Sequence, residues 1–188
     1  VMWTEVYNLR KIWAMEFSEL IRVRRSHRKF TAQAVERQKV EAILKAGLLA
    51  PSGKSVYPCE FVVVDEPDVL TKLSQAKAHG ASLVANAPLA IVVVADTSKS
   101  DVWVEDASIA TTLIMLEAEN QGLGACWVQM HLRGTDDGVP ATDNLRKLLN
   151  LKPEHEVLAV VAIGYKAEEK TARTDADLKF EKVHHLAL

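Results

Sequence analysis

The chain predicts a single mixed α/β (α+β) domain whose sheet is covered on both faces. Three observations carry that expectation. Four short runs, at 60–65, 89–96, 125–130 and 157–164, are rich in β-branched and other apolar residues. Stretches with apolar residues at helical spacing lie between them. The 188 residues are enough for one domain with a full core and too few for two comfortable ones. A run apolar up to its last residue, such as LAIVVVAD at 89–96, reads as a strand buried on both sides.

Taken in order, the segment VMWTEVYNLRKIWA has no apolar core of a secretory signal. Met15 opens MEFSELI, which reads as a natural start of translation. Residues 1–14 are therefore expected to be an N-terminal extension, and residues 15–188 the single domain. Phe17, Leu20 and Ile21 are spaced for a helix from 18 to about 25, which would deliver Arg24 and Arg25 at its C-terminal end, where the helix dipole favours cations. A second helix is expected over 36–50, with Val40, Ile43, Leu44 and Leu48 on one face. It is halted by Ala50-Pro51-Ser52-Gly53. The run at 60–65 reads as a buried strand. Pro67 sits in the first turn of a helix over 67–78 with Val69, Leu70 and Leu73 inward.

Asn86-Ala87-Pro88 punctuates the chain before the strand at 89–96. The longest helix is expected over 104–121, with Gly122 as its stop. Its apolar residues, Ile109, Leu113, Ile114 and Leu116, go nearly all round, as in a helix buried in a core or across a subunit interface. A strand over 125–130, a short amphipathic helix over 141–150 and the strand over 157–164 follow. From Lys166 the chain turns polar, and 166–188 is expected to be a surface arm.

Composition removes several function classes. Hydrophobic residues make up 48% and charged residues 26%, ordinary for a globular protein, and there is no apolar run of membrane-spanning length. A net charge of -2 argues against a nucleic-acid binder, which usually carries a basic domain. Cys59 and Cys126 show no C-x-x-C and no zinc spacing, so no disulfide framework or metal site is expected. Both read as small buried strand residues, and a reducing cytoplasm is the matching compartment. His79, His131, His155, His184 and His185 lack metal spacing with carboxylates and read as surface or loop residues.

Against that neutral background one stretch stands out. Residues 22–30 read RVRRSHRKF, with five of nine positions Arg or Lys. The anion it holds is open on charge alone: a nucleic-acid backbone, a membrane surface, an acidic partner or the phosphate of a cofactor. The segment from Gly47 to Gly53-Lys54-Ser55 is not a phosphate-binding P-loop. It has five residues between the glycines where four are needed, and it follows a helix and opens a strand. No G-x-G-x-x-G follows an expected strand either.

Four stretches read together resemble the nitroreductase family of FMN-dependent NAD(P)H oxidoreductases. Arg24-Arg25-Ser26-His27-Arg28-Lys29-Phe30 is similar to an RRSxRxF opening. Ala50-Pro51-Ser52-Gly53-Lys54-Ser55-Val56-Tyr57-Pro58-Cys59 stands where the family has APSxxNxQPW. Asp106, then Gly122-Leu123-Gly124 and Cys126-Trp127, resemble a D…GLGxxW segment, and Ile163-Gly164-Tyr165-Lys166-Ala167-Glu168-Glu169-Lys170 resembles a late GYPAEEK strand end. Ser55, Tyr57 and Cys59 depart from the usual Asn, Gln and Trp. Lys166 replaces a common Pro and is expected to matter little.

The resemblance implies a three-layer fold with a mostly antiparallel sheet of four to five strands, and a homodimer with FMN at the subunit interface. It implies cofactor-binding roles residue by residue. Arg24 and Ser26 would meet the phosphate, with Lys170 or Arg173 completing the clamp; forked, charged donors suit a near-dianion. Arg28 would face the flavin edge where negative charge builds on reduction, and Arg25 the ribityl or dimethylbenzene side. Pro51, Ser52 and Ser55 would come from the partner chain, and backbone N–H groups of Gln129 and Met130 would approach flavin N5 and O4. His27 falls at the motif's variable position. No catalytic side chain is implied, since the chemistry occurs at flavin N5. The expected activity is ping-pong reduction of nitroaromatics, quinones or similar acceptors by NAD(P)H. The alternatives are a related flavin-dependent branch (a dehalogenase or dehydrogenase) or a non-catalytic flavin-binding protein. No nucleic acid and no membrane partner is implied.

Overall fold

The most apolar runs lie side by side at the centre of the sheet. The computed structural model describes residues 15–186; the expected extension at 1–14 and the last two residues of the C-terminal arm lie outside them. Strand β1 (Cys59–Val64), β2 (Leu89–Asp96), β3 (Gly124–Gln129) and β4 (His155–Gly164) form one sheet in the order β1-β2-β4-β3. Every pairing is antiparallel. β2 is buried at all its positions, and β4 at all but Glu156.

Two-residue periodicity divides these strands between two cores. Ala90, Val92, Val94, Val160 and Ala162 pack with Leu70, Leu73 and Leu145 on one face. Ile91, Val93, Val161 and Ile163 pack with Ile43, Ala107 and Ile114 on the other. The first face is covered by α3 (Pro67–Ser74) and α5 (Ala141–Leu149), the second by α2 (Arg37–Leu48) and α4 (Trp103–Asn120). The sheet is covered on both faces as the sequence pattern predicts, in the three-layer, antiparallel arrangement that the resemblance implies. Each fully buried Ile or Val contributes roughly 1.5–3 kcal/mol, whereas an exposed ion pair contributes about 0–1 kcal/mol, so the sheet centre dominates stability. No helix among the described residues is long and apolar enough to cross a membrane.

The long helix ends as its sequence dictates. Gly122 takes φ 76° and follows the cap residue Gln121. Its N–H donates to Glu119 O (2.9 Å) and that of Leu123 to Ala118 O (2.9 Å), the paired bonds of a Schellman stop. Ile114 is fully buried on α4, while Ile109 is 41% exposed.

Four expectations need correction. α1 spans Phe17–Val23, so Arg24 and Arg25 lie beyond the helix rather than on its last turn; Arg24 is extended, with ψ 117°. β1 is an edge strand with one neighbour, and of its residues only Val64 is buried. α3 ends at Ser74, short of the expected 78. His155 is buried at the start of β4, because register places it opposite Asp96 of the fully buried β2.

Candidate active site

Beyond α1 the chain runs along the free edge of β3. Ser26 makes a parallel bridge with Ala125, and the His27 N–H donates to Ala125 O (3.0 Å). The approach requires glycine at 124, where a Cβ would lie 2.8 Å from His27 Cβ. The arm after β4 closes over the same seam. Phe30 bridges Lys166, and the Ala167 N–H donates to Lys29 O (3.1 Å). The Arg28 N–H donates to Glu168 Oε1 (3.3 Å), whose carboxylate also holds Lys170 (3.2 Å). The Arg25 guanidinium donates to Thr171 O, and the Arg173 N–H to Arg22 O (2.9 Å).

This seam gathers positive charge. Burial pushes the Cys126 thiol up, and the charges of Arg28, Lys170 and Arg24 all act on it in opposition. All three cations therefore lie within electrostatic reach of Cys126 on β3. Lys170 is paired with Glu168, and Arg173 with Asp177 (3.2 Å). Among the described residues Arg24, Arg25 and Arg28 form no salt bridge. The seam is a place where cations outnumber the acids that could neutralise them.

Beneath it lies an ion pair on a buried carboxylate, and Lys166 is not the minor replacement expected. Lys166 bonds the Glu119 carboxylate, whose side chain is 4% exposed. Lys166 therefore matters: it supplies the countercharge to the buried Glu119 carboxylate at the end of α4. His27 is buried beside this pair, with no hydrogen-bond partner at Nδ1. Burial, then the positive charge of Lys166, hold its pKa below the usual histidine value, with Glu119 opposing in part. The imidazole is accordingly neutral at pH 7, a packing element that fixes the backbone between Ser26 and Arg28.

The loop at 51–57 forms a second patch. Asp106, buried in the first turn of α4, accepts from Gly53 N–H (2.8 Å), Ser52 Oγ (3.0 Å) and Ser100 Oγ (3.3 Å). Ser52 Oγ in turn accepts from the Tyr57 N–H (3.0 Å). Lys54, Ser55 and Tyr57 all hold φ between 51° and 56°, so three non-glycine residues in this loop take a costly left-handed conformation. Asp106 is the anchor that sustains it. Asp106 belongs to the D…GLGxxW stretch but has no expected role there; its signal in the sequence is an acid in the first turn of the longest helix, beside Glu105. Pro51, Ser52, Tyr57, Cys59 and Asp106 line a shallow hollow with Gly47. The Cys59 thiol there is pushed up to about 11 by burial, then by the charge of Asp106, which leaves it unreactive.

The structure brings Arg24, Arg28 and Lys170 together, and sets Arg25, Ser26 and Arg173 along the same seam. It does not bring Pro51, Ser52 and Ser55 to them. The loop is tied to Asp106 and the seam to Glu119, thirteen residues apart on α4; at a rise of about 1.5 Å per residue that is roughly 20 Å. The sheet agrees, since Cys126 and Cys59 sit on opposite edge strands. Gln129 ends β3, about 10 Å beyond Cys126 at strand rise, and Met130 follows it just outside the strand. The Met130 N–H, expected to be free, donates to Leu158 O (3.0 Å). The Gln129 side chain accepts from Trp127 Nε1 (2.8 Å) and donates to His131 O (3.0 Å).

A profile of the Nitroreductase family matches residues 21–82 and 75–165. An FMN-dependent nitroreductase from Clostridium difficile superposes with a TM-score of 0.89 at 44% identity, covering 92% of this chain and all of that one. A protein of Archaeoglobus fulgidus, provisionally named NADH dehydrogenase/NAD(P)H nitroreductase, is 36% identical over 175 residues, 90% of this chain and 97% of its own. A provisionally named nitroreductase from Desulfovibrio desulfuricans, solved in complex with FMN, has a TM-score of 0.70 at 28% identity, covering 89% of this chain and 97% of that one. The chain, with its arginine seam, its strained loop and its antiparallel three-layer frame, belongs to the nitroreductase family.

Proposed function

We propose that this protein is an FMN-dependent oxidoreductase that uses NAD(P)H to reduce nitroaromatic, quinone or similar electron-poor acceptors. The observation that carries the reading is the seam beside β3, where Arg24, Arg25 and Arg28 form no salt bridge among the described residues, in a chain of nitroreductase-family fold. FMN suits that seam, because its phosphate is an anion that forked guanidinium donors bind well. The names of the Clostridium, Archaeoglobus and Desulfovibrio relatives support the same cofactor and the same donor. When bound, FMN supplies the hydride acceptor for the nicotinamide and the electron donor for the second substrate.

The chain's own residues would do the rest. Arg24 and Ser26 hold the phosphate, with Lys170 or Arg173 closing over it from the C-terminal arm. Arg28 supplies a fixed cation where negative charge develops, which stabilises that charge without reorganisation at the moment of reaction. Pro51, Ser52 and Ser55 of a second copy cover the opposite edge. The roughly 20 Å between the two patches supports a homodimer, since neither copy alone presents both patches to one cofactor. Gln129 lies near the reacting edge, and Met130 contributes position rather than a free N–H. A single site that serves donor and acceptor in turn gives ping-pong kinetics.

The test is reconstitution with FMN followed by anaerobic titration with NADH and NADPH, then an acceptor panel. The expected result is a yellow protein whose flavin absorbance is bleached by a nicotinamide and restored by a nitroaromatic or quinone. A protein that stays colourless after FMN is added would overturn the reading. A yellow protein that neither nicotinamide bleaches would make it a flavin-binding protein without this activity.

A further inference from the structure

The far end of the sheet holds a second cluster of ionisable groups, outside the seam and the loop. Asp96 closes β2 and His155 opens β4, directly opposite one another in the register. Glu154 is drawn in by the adjoining turn, where its carbonyl accepts from both the N–H and Oγ1 of Thr97 (3.0 Å each). One side-chain ligand atom from each of Asp96, Glu154 and His155 lies within 4.8 Å of the others.

We propose that Asp96, Glu154 and His155 form a binding site for one divalent cation of the zinc class. The imidazole is the independent observation. The His155 side chain is 4% exposed, yet neither Nδ1 nor Nε2 has a hydrogen-bond partner. Buried polar atoms are rarely left so. The Glu60 carboxylate stands 3.7 Å from Nε2, too far for a hydrogen bond. Coordination through one ring nitrogen leaves the other N–H free for an outer carboxylate, as metal-bound histidines generally arrange.

Charge points the same way. Asp96, Glu154 and Glu60 all lie close enough for their charge to act on Lys99. Three carboxylates against one ammonium leave two negative charges, which a divalent cation cancels. Asp96 Oδ1 accepts from Ser98 N–H (3.1 Å) and Oγ (2.6 Å), and Oδ2 holds Lys99 (2.9 Å). A carboxylate has about four lone-pair sites, so one remains on Oδ2. One nitrogen with two carboxylates suits zinc, in the three-ligands-plus-water pattern, rather than magnesium, which takes an all-oxygen octahedron. Such an ion would clamp the ends of β2 and β4.

The test is equilibrium dialysis of the full chain, stripped with EDTA, against zinc or magnesium chloride, with bound metal counted by mass spectrometry and thermal unfolding followed in parallel. The expected result is one zinc per chain and a zinc-dependent rise in Tm that magnesium does not reproduce. Removing even an outer partner of a bound metal costs about 10-fold to 100-fold in affinity, so Glu154→Gln and His155→Ala should each weaken zinc binding at least tenfold. A variant lacking the exposed His79, His184 and His185 should bind as the parent does. If His155→Ala does not fold, Glu154→Gln at its half-buried turn decides alone. No zinc bound by the parent, zinc lost with the exposed histidines, or parental affinity in Glu154→Gln would overturn the proposal.

Discussion

Arg24 and Arg28 flank His27 along one seam, and their proposed roles separate because their surroundings differ. Arg24 sits just past α1, half-buried, while Arg28 is exposed and tied through its N–H to Glu168. A hydrogen bond to a charged group contributes about 1.5–3 kcal/mol. Arg24→Ala should therefore weaken FMN retention about tenfold or more, measured by fluorescence of released flavin. Arg28→Ala should instead slow nicotinamide-driven bleaching in stopped flow, with a smaller effect on retention. Equal loss of flavin in both would refute that division. His27 yields a pH prediction. Its folded-state pKa is lowered, so below the ordinary value of about 6.5 the unfolded chain binds more protons and stability falls as pH falls. That contribution is complete above pH 6.5 and is lost towards the folded value, at no more than about 1.4 kcal/mol per pH unit. Denaturant titrations between pH 7 and pH 5 should show a shallower decline in His27→Gln; an unchanged slope would mean that His27 does not titrate as buried.

At the scale of elements, two contacts hold the two patches in place. Gly124→Ala would drive a Cβ against His27 at 2.8 Å, and overpacking of this kind costs about 1–3 kcal/mol. The lost stability should appear in urea unfolding, with FMN affinity falling because the seam shifts. Asp106→Ala leaves the Gly53 N–H and Ser52 Oγ without their acceptor and should cost about 1–3 kcal/mol. If Asp106 only anchors the loop, that variant should keep the cationic seam intact in crystals or by NMR. The elements themselves were largely legible: β2, β4 and α4 emerge from periodicity within a residue or two. Arg24 and Arg28 were legible as charge and as motif. The Glu119–Lys166 pair, the Asp106 anchor and the His155 cluster were not, because each joins residues from different elements. Sequence spacing reports neighbours along one helix or strand and is silent on which strands pair. β1 was misjudged for the same reason: edge or centre depends on strand order, which Glu60-Phe61-Val62-Val63-Val64 does not encode.

At the scale of the whole molecule, α4 sets the arrangement. It holds the strained loop at one end and the cationic seam at the other, roughly 20 Å apart by helix rise. A site built from both would need two copies, each lending its loop to the other's seam. The proposal can be tested by subunit mixing. A chain carrying Arg24→Ala with Arg28→Ala has no working seam, and a chain carrying Pro51→Glu has a charged, obstructed loop. Each alone should be nearly inactive in nicotinamide-dependent acceptor reduction. Random reassortment of the two would make half the dimers mixed, each with one intact site, and so restore about a quarter of the parental activity in a symmetric dimer. Recovery near that level is the predicted result. A mixture whose dimers have demonstrably exchanged subunits, yet which stays as inactive as its two components, would contradict the shared site.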